Sequence, residues 1–169
     1  MIMRSAVAQQ EPKITSINIS PGGIPKRPMD SVVVTQFGLA GDGHNHEKHN
    51  NPIQAVCLQD VELLEGLCRE GFSLSCGTIG ENLTVSHLDV QHLSVGTILE
   101  FSGGVVLELT KERKPCYVLD SIDPRLKEVI VGRCGFYAKV VREGILKTGE
   151  KIDISQPTRF TSGNLDPTA

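Results

Sequence analysis

Two segments of this 169-residue chain concentrate side chains able to do chemistry. The first is Lys111-Glu112-Arg113-Lys114-Pro115-Cys116. A thiol acts as a nucleophile or a soft metal ligand only as the thiolate, and free cysteine, with a pKa of about 8.5, is mostly protonated at neutral pH. Arg113 and Lys114 beside the sulfur, with Lys111 two residues further back, favour the thiolate electrostatically. Pro115 fixes the backbone ahead of Cys116 and removes an amide donor. Cysteine is also among the most buried residue types. The residues alone therefore leave a reactive thiol and a core thiol both open.

The second segment is Gly41-Asp42-Gly43-His44-Asn45-His46, with His49 three residues on. Imidazoles at this density can bind a metal, orient an anion or shuttle protons. Their spacing matches no zinc signature and no cysteine pair stands beside them, so a dedicated zinc site is the weaker reading. The plainer reading is a turn-forming loop in which Asp42 bonds local amides. Gly80-Glu81-Asn82-Leu83-Thr84-Val85 puts a carboxylate and an amide at the mouth of a strand, a weak motif by itself. Lys26-Arg27 after Pro25 reads as a solvated charge pair or as a phosphate partner. Cys57 and Cys134 read as packing. Cys68 and Cys76 are spaced too widely for a CxxC redox motif. P-loop, GxGxxG, GxSxG and HExxH patterns are absent.

These residues need elements to hold them. Ile14, Ile17 and Ile19 lie in a run ending at Pro21-Gly22-Gly23. Ser31–Thr35 is β-branched and too short for a helix, which predicts a strand. The polar stretch from Gly38 to Asn51 predicts a long loop. Ile53–Leu58 reads as a strand entering a helix over Asp60–Glu70, with Asp60 as N-cap, Val61, Leu64 and Leu67 at helical spacing, and Gly71 as the stop. Further strands are expected at Asn82–Val85, Val95–Phe101, Val105–Thr110, Phe136–Arg142 and Lys151–Ile154, and a short helix within Pro124–Val131. The expectation is a mainly β, barrel-like single domain with one or two helices, spanning residues 13–155. Residues 1–12 read as a disordered lead-in and 156–169 as a flexible tail.

Composition narrows the function. Lys and Arg total 17 against 20 Asp and Glu, a net charge of −3, which argues against non-specific binding to nucleic acid or anionic membrane. No apolar run approaches the 18 residues of a membrane span. Five cysteines in a chain of this size point to the reducing cytoplasm.

Taken together, six segments resemble the MOSC domain, the module named after the C-terminal domain of molybdenum cofactor sulfurase. In order they are Pro21-Gly22-Gly23-Ile24-Pro25-Lys26-Arg27-Pro28, Gly38-Leu39-Ala40-Gly41-Asp42-Gly43-His44, Ala55-Val56-Cys57-Leu58, Gly80-Glu81-Asn82-Leu83-Thr84, Lys114-Pro115-Cys116, and Gly135-Phe136-Tyr137-Ala138 through Gly149-Glu150. The resemblance implies a β-rich, barrel-like fold with Cys116 at the family's signature cysteine, which carries sulfur as a persulfide or ligates molybdenum held by a pterin dithiolene. It implies that Asp42, His44, Glu81 and Asn82 line the molybdopterin pocket, with His46 and His49 on the same loop. Lys26, Arg113 and Lys114 are added on electrostatic grounds as partners for the pterin phosphate. Gln54 stands where many relatives carry Arg.

Two functions follow from that resemblance. In one, the domain is a sulfur carrier, loaded by a separate pyridoxal-phosphate cysteine desulfurase and serving molybdenum cofactor or a molybdoenzyme. In the other it is a molybdenum-cofactor reductase module for N-hydroxylated compounds, with Cys116 on the metal and a redox partner supplying electrons. A deep, basic pocket would favour the reductase and a shallow, exposed Cys116 the carrier. A barrel that merely binds an anion or a protein surface is the non-enzymatic alternative.

Overall fold

The computed structural model describes residues 9–43 and 51–156. Strand β1 (Lys13–Ile19) buries Ile14 and Ile17, whose odd spacing defies strict alternation. A register shift between Ile14 and Ser16 against the strand at Leu83–Ser86 resolves this, because an extra residue on one strand resets which face points inward. Next come β2 (Arg27–Met29), β3 (Ser31–Thr35) and β4 (Gly38–Leu39). β4 occupies the start of the stretch expected to be loop, and it pairs antiparallel with β3. The expected strand at Ile53–Leu58 divides into a 3-10 turn at Pro52–Gln54 and β5 (Val56–Asp60), since Pro52 opens a helical turn and supplies no ladder donor.

Helix α1 (Val61–Arg69) lies where the apolar spacing predicts it, burying Leu64 and Leu67. Asp60 occupies its N-cap position, yet its side chain makes no capping bond to α1. Its carboxylate instead accepts from the Asp89 and Val90 amides. Then follow β6 (Leu83–Ser86), β7 (Ile98–Phe101) and β8 (Val106–Glu112), a 3-10 segment at Tyr117–Ser121, and α2 (Leu126–Val129). The chain ends in β9 (Phe136–Arg142), β10 (Gly144–Lys147) and β11 (Ile152–Ser155). β2 and β4 are too short to show a periodicity in the sequence.

The strands form a mixed eight-stranded sheet, in the order β11-β7-β8-β9-β5-β6-β1-β2, and a three-stranded sheet β10-β3-β4. All named pairings are antiparallel except β5 with β6. The large sheet rolls until the start of β1 meets the chain entering β11, through a bridge between Lys13 and Lys151 and bonds from the Ile14 amide to the Glu150 carbonyl and the Ile152 amide to the Pro12 carbonyl. The mainly β class with two helices stands. The expected barrel is a rolled sheet that does not close into a continuous ladder.

The main core fills the roll with Ile14, Ile17, Leu58, Leu83, Leu99, Leu107 and Leu109. A second cluster, including Leu64, Leu67, Ile79, Leu119, Leu126, Ile130 and Cys134, ties both helices and the Tyr117–Ser121 segment to the ends of β5 and β9. The proposed lead-in and tail, and the histidine loop from residue 44 to 50, lie largely outside the described residues.

Candidate functional site

The polar residues of the sequence segments converge on the ends of β1, β5, β6 and β8. Asp42 is the hub on one side. Its carboxylate accepts from the Ser20 amide at 3.0 Å, from Lys26 Nζ at 2.7 and 2.5 Å, and from Asn82 Nδ2 at 2.9 Å. The Asp42 side chain is 1% exposed and that of Lys26 11%, so this is a buried ion pair with its remaining lone pairs satisfied. Asn82 extends the network into the sheet, where its Oδ1 accepts from the Cys57 amide at 2.9 Å. Asn18, an inward polar residue of β1, donates to Thr84 Oγ1 and to the Glu81 carbonyl.

Glu81 lies behind this layer and is fully buried. Its Oε1 accepts from the Gly77 amide at 2.7 Å and Thr84 Oγ1 at 2.8 Å, while Oε2 has no partner. Burial pushes its carboxyl up, against the pull of those two bonds and of the Arg113 charge. Arg113 is also buried. Its Nη2 donates to the Ile79 carbonyl at 2.5 Å, its backbone amide donates to the Gly135 carbonyl, and Nη1 has no partner. Burial works against its charge, but Cys57, Cys134, Tyr137 and Glu81 around it hold the guanidinium above its ordinary value.

Cys116 lies three residues beyond Arg113, partly exposed, where the chain turns into the Tyr117–Ser121 segment. The Leu119 amide donates to its carbonyl at 3.1 Å. Two buried thiols stand behind it. Cys57 pairs across β5 and β9 with Tyr137, and Cys134 sits one residue before the Gly135 that Arg113 bonds. Burial pushes Cys134 up to about 11 and Tyr137 up to about 12, and raises Cys57 as well, while Arg113 opposes all three rises. Cys116 is close enough to add to the rise at Cys134 and Tyr137. These three are the residues that reading the sequence missed as neighbours. Their signal is positional, because each lies on or just before β5 or β9 near the Arg113 exit.

The sequence-predicted residues therefore separate into groups. Lys26, Asp42, Glu81, Asn82 and Arg113 are joined through the 77–82 turn, and Cys116 stands at its rim. Lys114 is exposed. His44, His46 and His49 lie outside the described residues. The cations differ from the expected phosphate clamp in how they are used, since Lys26 is bound to Asp42 and Arg113 is turned inward onto Ile79. A cavity of about 880 Å³ lies elsewhere, lined by residues including Glu11, Asp60, Glu62, His87 and Asp89. A pterin-held molybdenum would find in Cys116 a soft sulfur donor, and in exposed Lys114 a cation for its phosphate.

Comparison with known proteins places this geometry. The profile of the MOSC domain matches residues 42–153. An uncharacterised Bacillus subtilis protein, YflK, is 32% identical over 143 residues, 78% of this chain and 62% of that protein. A Gibberella moniliformis protein named "Reductase" is 33% identical over 131 residues, 73% of this chain and 23% of that protein. The match thus spans less than two thirds of either relative. Among solved structures, YiiM from Geobacillus stearothermophilus is 26% identical with a TM-score of 0.69, covering 86% of this chain and 75% of that one. YuaD from Bacillus subtilis is 19% identical with a TM-score of 0.75, covering 88% and 98%, a likeness of fold. With six motifs in order, a rolled β fold and a profile match across most of its length, the chain belongs to the MOSC domain family.

Proposed function

We propose that this domain is a sulfur carrier acting with molybdenum cofactor, and that Cys116 holds the sulfur as a persulfide. The observation that supports it is the contrast in exposure: Cys116 is accessible at the rim, while Lys26 and Arg113, the cations a deep phosphate clamp would use, are internally engaged. A carrier needs an accessible thiol and a surface on which donor and acceptor can dock in turn. In the loading step the Cys116 thiolate attacks the terminal sulfur of a donor persulfide, as on a cysteine desulfurase. A new S–S bond forms at Cys116, the donor's S–S bond breaks, and its electron pair leaves on the donor thiolate. Molybdenum cofactor, or a molybdoenzyme holding it, is the acceptor substrate.

The relative named "Reductase" supports a second reading, in which Cys116 ligates molybdenum in a resident molybdopterin. Cys116 would hold the metal through sulfur, and Lys114 would meet the phosphate. The cofactor, when bound, would supply two-electron chemistry that reduces N-hydroxylated compounds. This chain would then supply the thiolate and the fixed backbone around it, with electrons from a partner.

Intact mass spectrometry separates the two. After incubation with a cysteine desulfurase and cysteine without reductant, the wild type should gain about 32 Da, one sulfur, and Cys116→Ser should gain none. No gain in the wild type, with molybdenum and pterin copurifying in a Cys116-dependent manner, would overturn the carrier in favour of the reductase.

A further inference from the structure

The loop from His87 to His92 touches the Cys116 segment through one side chain. Gln91 Nε2 donates to Glu112 Oε1 at 3.0 Å, and Gln91 Oε1 accepts from the Gly135 amide at 3.0 Å. Glu112 is the last residue of β8 before Arg113, and the Gly135 carbonyl accepts from the Arg113 amide. One carboxamide thus spans the two strand ends between which Arg113 and Cys116 leave the sheet. The other end of the loop is tied down too. Asp60 Oδ1 accepts from the Asp89 amide at 2.9 Å and Oδ2 from the Val90 amide at 2.7 Å. His87 and Asp89 hold positive φ of 59° and 54°, a backbone that residues other than glycine seldom keep without fixed partners.

We propose that Gln91 is a positioning residue for Cys116, held in place by Asp60, so that these two side chains form a strut from the start of α1 to the thiol-bearing segment. The strut serves a persulfide carrier and a molybdenum ligand alike, because it fixes where the chain carrying Cys116 leaves β8. A carboxylate anchors two amides more firmly than a neutral acid does. In the closed loop desolvation outweighs that gain, so the strut is tightest when Asp60 holds its proton. Burial raises the Asp60 carboxyl to about 7. The charged groups facing it are Glu62 from α1 and Asp89 from the loop, and its cavity also holds Glu11 and His87. His87 lies against Glu62, and His92 pairs with Asp89.

The test reads geometry and not sulfur loading, so it stands apart from the carrier proposal. Hydrogen exchange of the Gly135 amide by NMR in the wild type should show protection, corrected for intrinsic rates, that falls from pH 6 to pH 8. At pH 8, Gln91→Met should lower Gly135 protection and speed alkylation of Cys116, relative to exposed Cys68 in the same molecule, by roughly 2- to 10-fold, the range for losing one hydrogen bond. Asp60→Asn should flatten the dependence of Gly135 protection on pH between 6 and 8. If Gln91→Met fails to fold, Gln91→Glu keeps the acceptor for Gly135 and places a carboxylate against Glu112, and should give an intermediate Cys116 rate. Gly135 protection unchanged between pH 6 and 8 in the wild type, equally pH-dependent in Asp60→Asn, or unaltered by Gln91→Met, would overturn the strut.

Discussion

Lys26 and Asp42 form a bidentate ion pair in which both carboxylate oxygens meet the same ammonium, at 2.7 and 2.5 Å. The pair pins the 20–26 loop to the turn at residues 40–43, which the Gly43 amide also holds through the Ser20 carbonyl. Two segments that read as independent surface motifs in the sequence are one buried unit. A cation so engaged has little charge left to offer an anionic ligand.

Removing one partner of such a pair strands the other. Lys26→Met leaves Asp42 with only the Ser20 amide and Asn82 as donors, and should cost about 3 kcal/mol in urea unfolding. Asp42→Asn keeps an acceptor for the Ser20 amide and strands a lysine that has a shorter path to solvent, so it should cost less. A Lys26→Met protein within about 0.5 kcal/mol of the wild type would show that the charges are not buried in solution.

Stability should fall as the pH rises from about 4 to about 7, and Asp60 is the main cause. Its carboxyl titrates near 3.8 when unfolded and at about 7 when folded. Between those values the native state holds a proton that the unfolded chain has shed, so acidification favours folding and the benefit is lost as pH passes 7. Three units correspond to about 4 kcal/mol as an upper figure. Glu81 and His92 are raised too and add in the same direction. Urea midpoints at pH 5 and pH 8 should therefore differ in the wild type and differ less in Asp60→Asn. A midpoint that rises with pH over this range would contradict the assignment.

Much of this could be read from the sequence, and the reasons differ by residue. Val61, Leu64 and Leu67 announce α1 because helical period and apolar burial coincide. β9 is legible because Phe136–Arg142 is long enough to show its pattern. Asp42, Asn82 and Cys116 are legible as motifs, since polar residues beside turn glycines carry local meaning. What stayed hidden is pairing at long range. Nothing local tells that Lys26 meets Asp42, that Asp60 bonds residues 89 and 90 instead of capping its own helix, or that Gln91 reaches Gly135. Cys57 and Cys134 look like packing and are packed, but only the β5–β9 register brings them beside Arg113.

That arrangement separates the thiols by role. Cys57→Ser and Cys134→Ser each replace a buried thiol by a hydroxyl that must find a partner, and should lower stability by about 1–3 kcal/mol. Neither should prevent Cys116 from gaining sulfur, whereas Cys116→Ser should abolish the gain with under about 1 kcal/mol of lost stability, because its site is partly exposed. Mass measurement and urea unfolding on the three variants check both halves. Loss of sulfur uptake in a folded Cys134→Ser protein would move the carrier thiol inward.

Gly77 joins the two halves of the site through its backbone. Its amide donates to Glu81 Oε1, its carbonyl accepts from the Lys26 amide at 2.9 Å, and a β-carbon there would overlap the Lys26 carbonyl. Its φ is +84°, so alanine meets conformational strain as well as the clash. Gly71, past the end of α1, has φ +104° with open space around it, so alanine there meets strain alone. Gly71→Ala should therefore cost about 1–2 kcal/mol. Gly77→Ala should cost at least about 2 kcal/mol more, since backbone cannot yield as a side-chain end can. Urea unfolding of the two variants gives the difference directly. Equal costs would mean that the 77–82 turn relaxes away from Lys26, and that the contact between the Lys26 loop and Glu81 is looser than the structure shows.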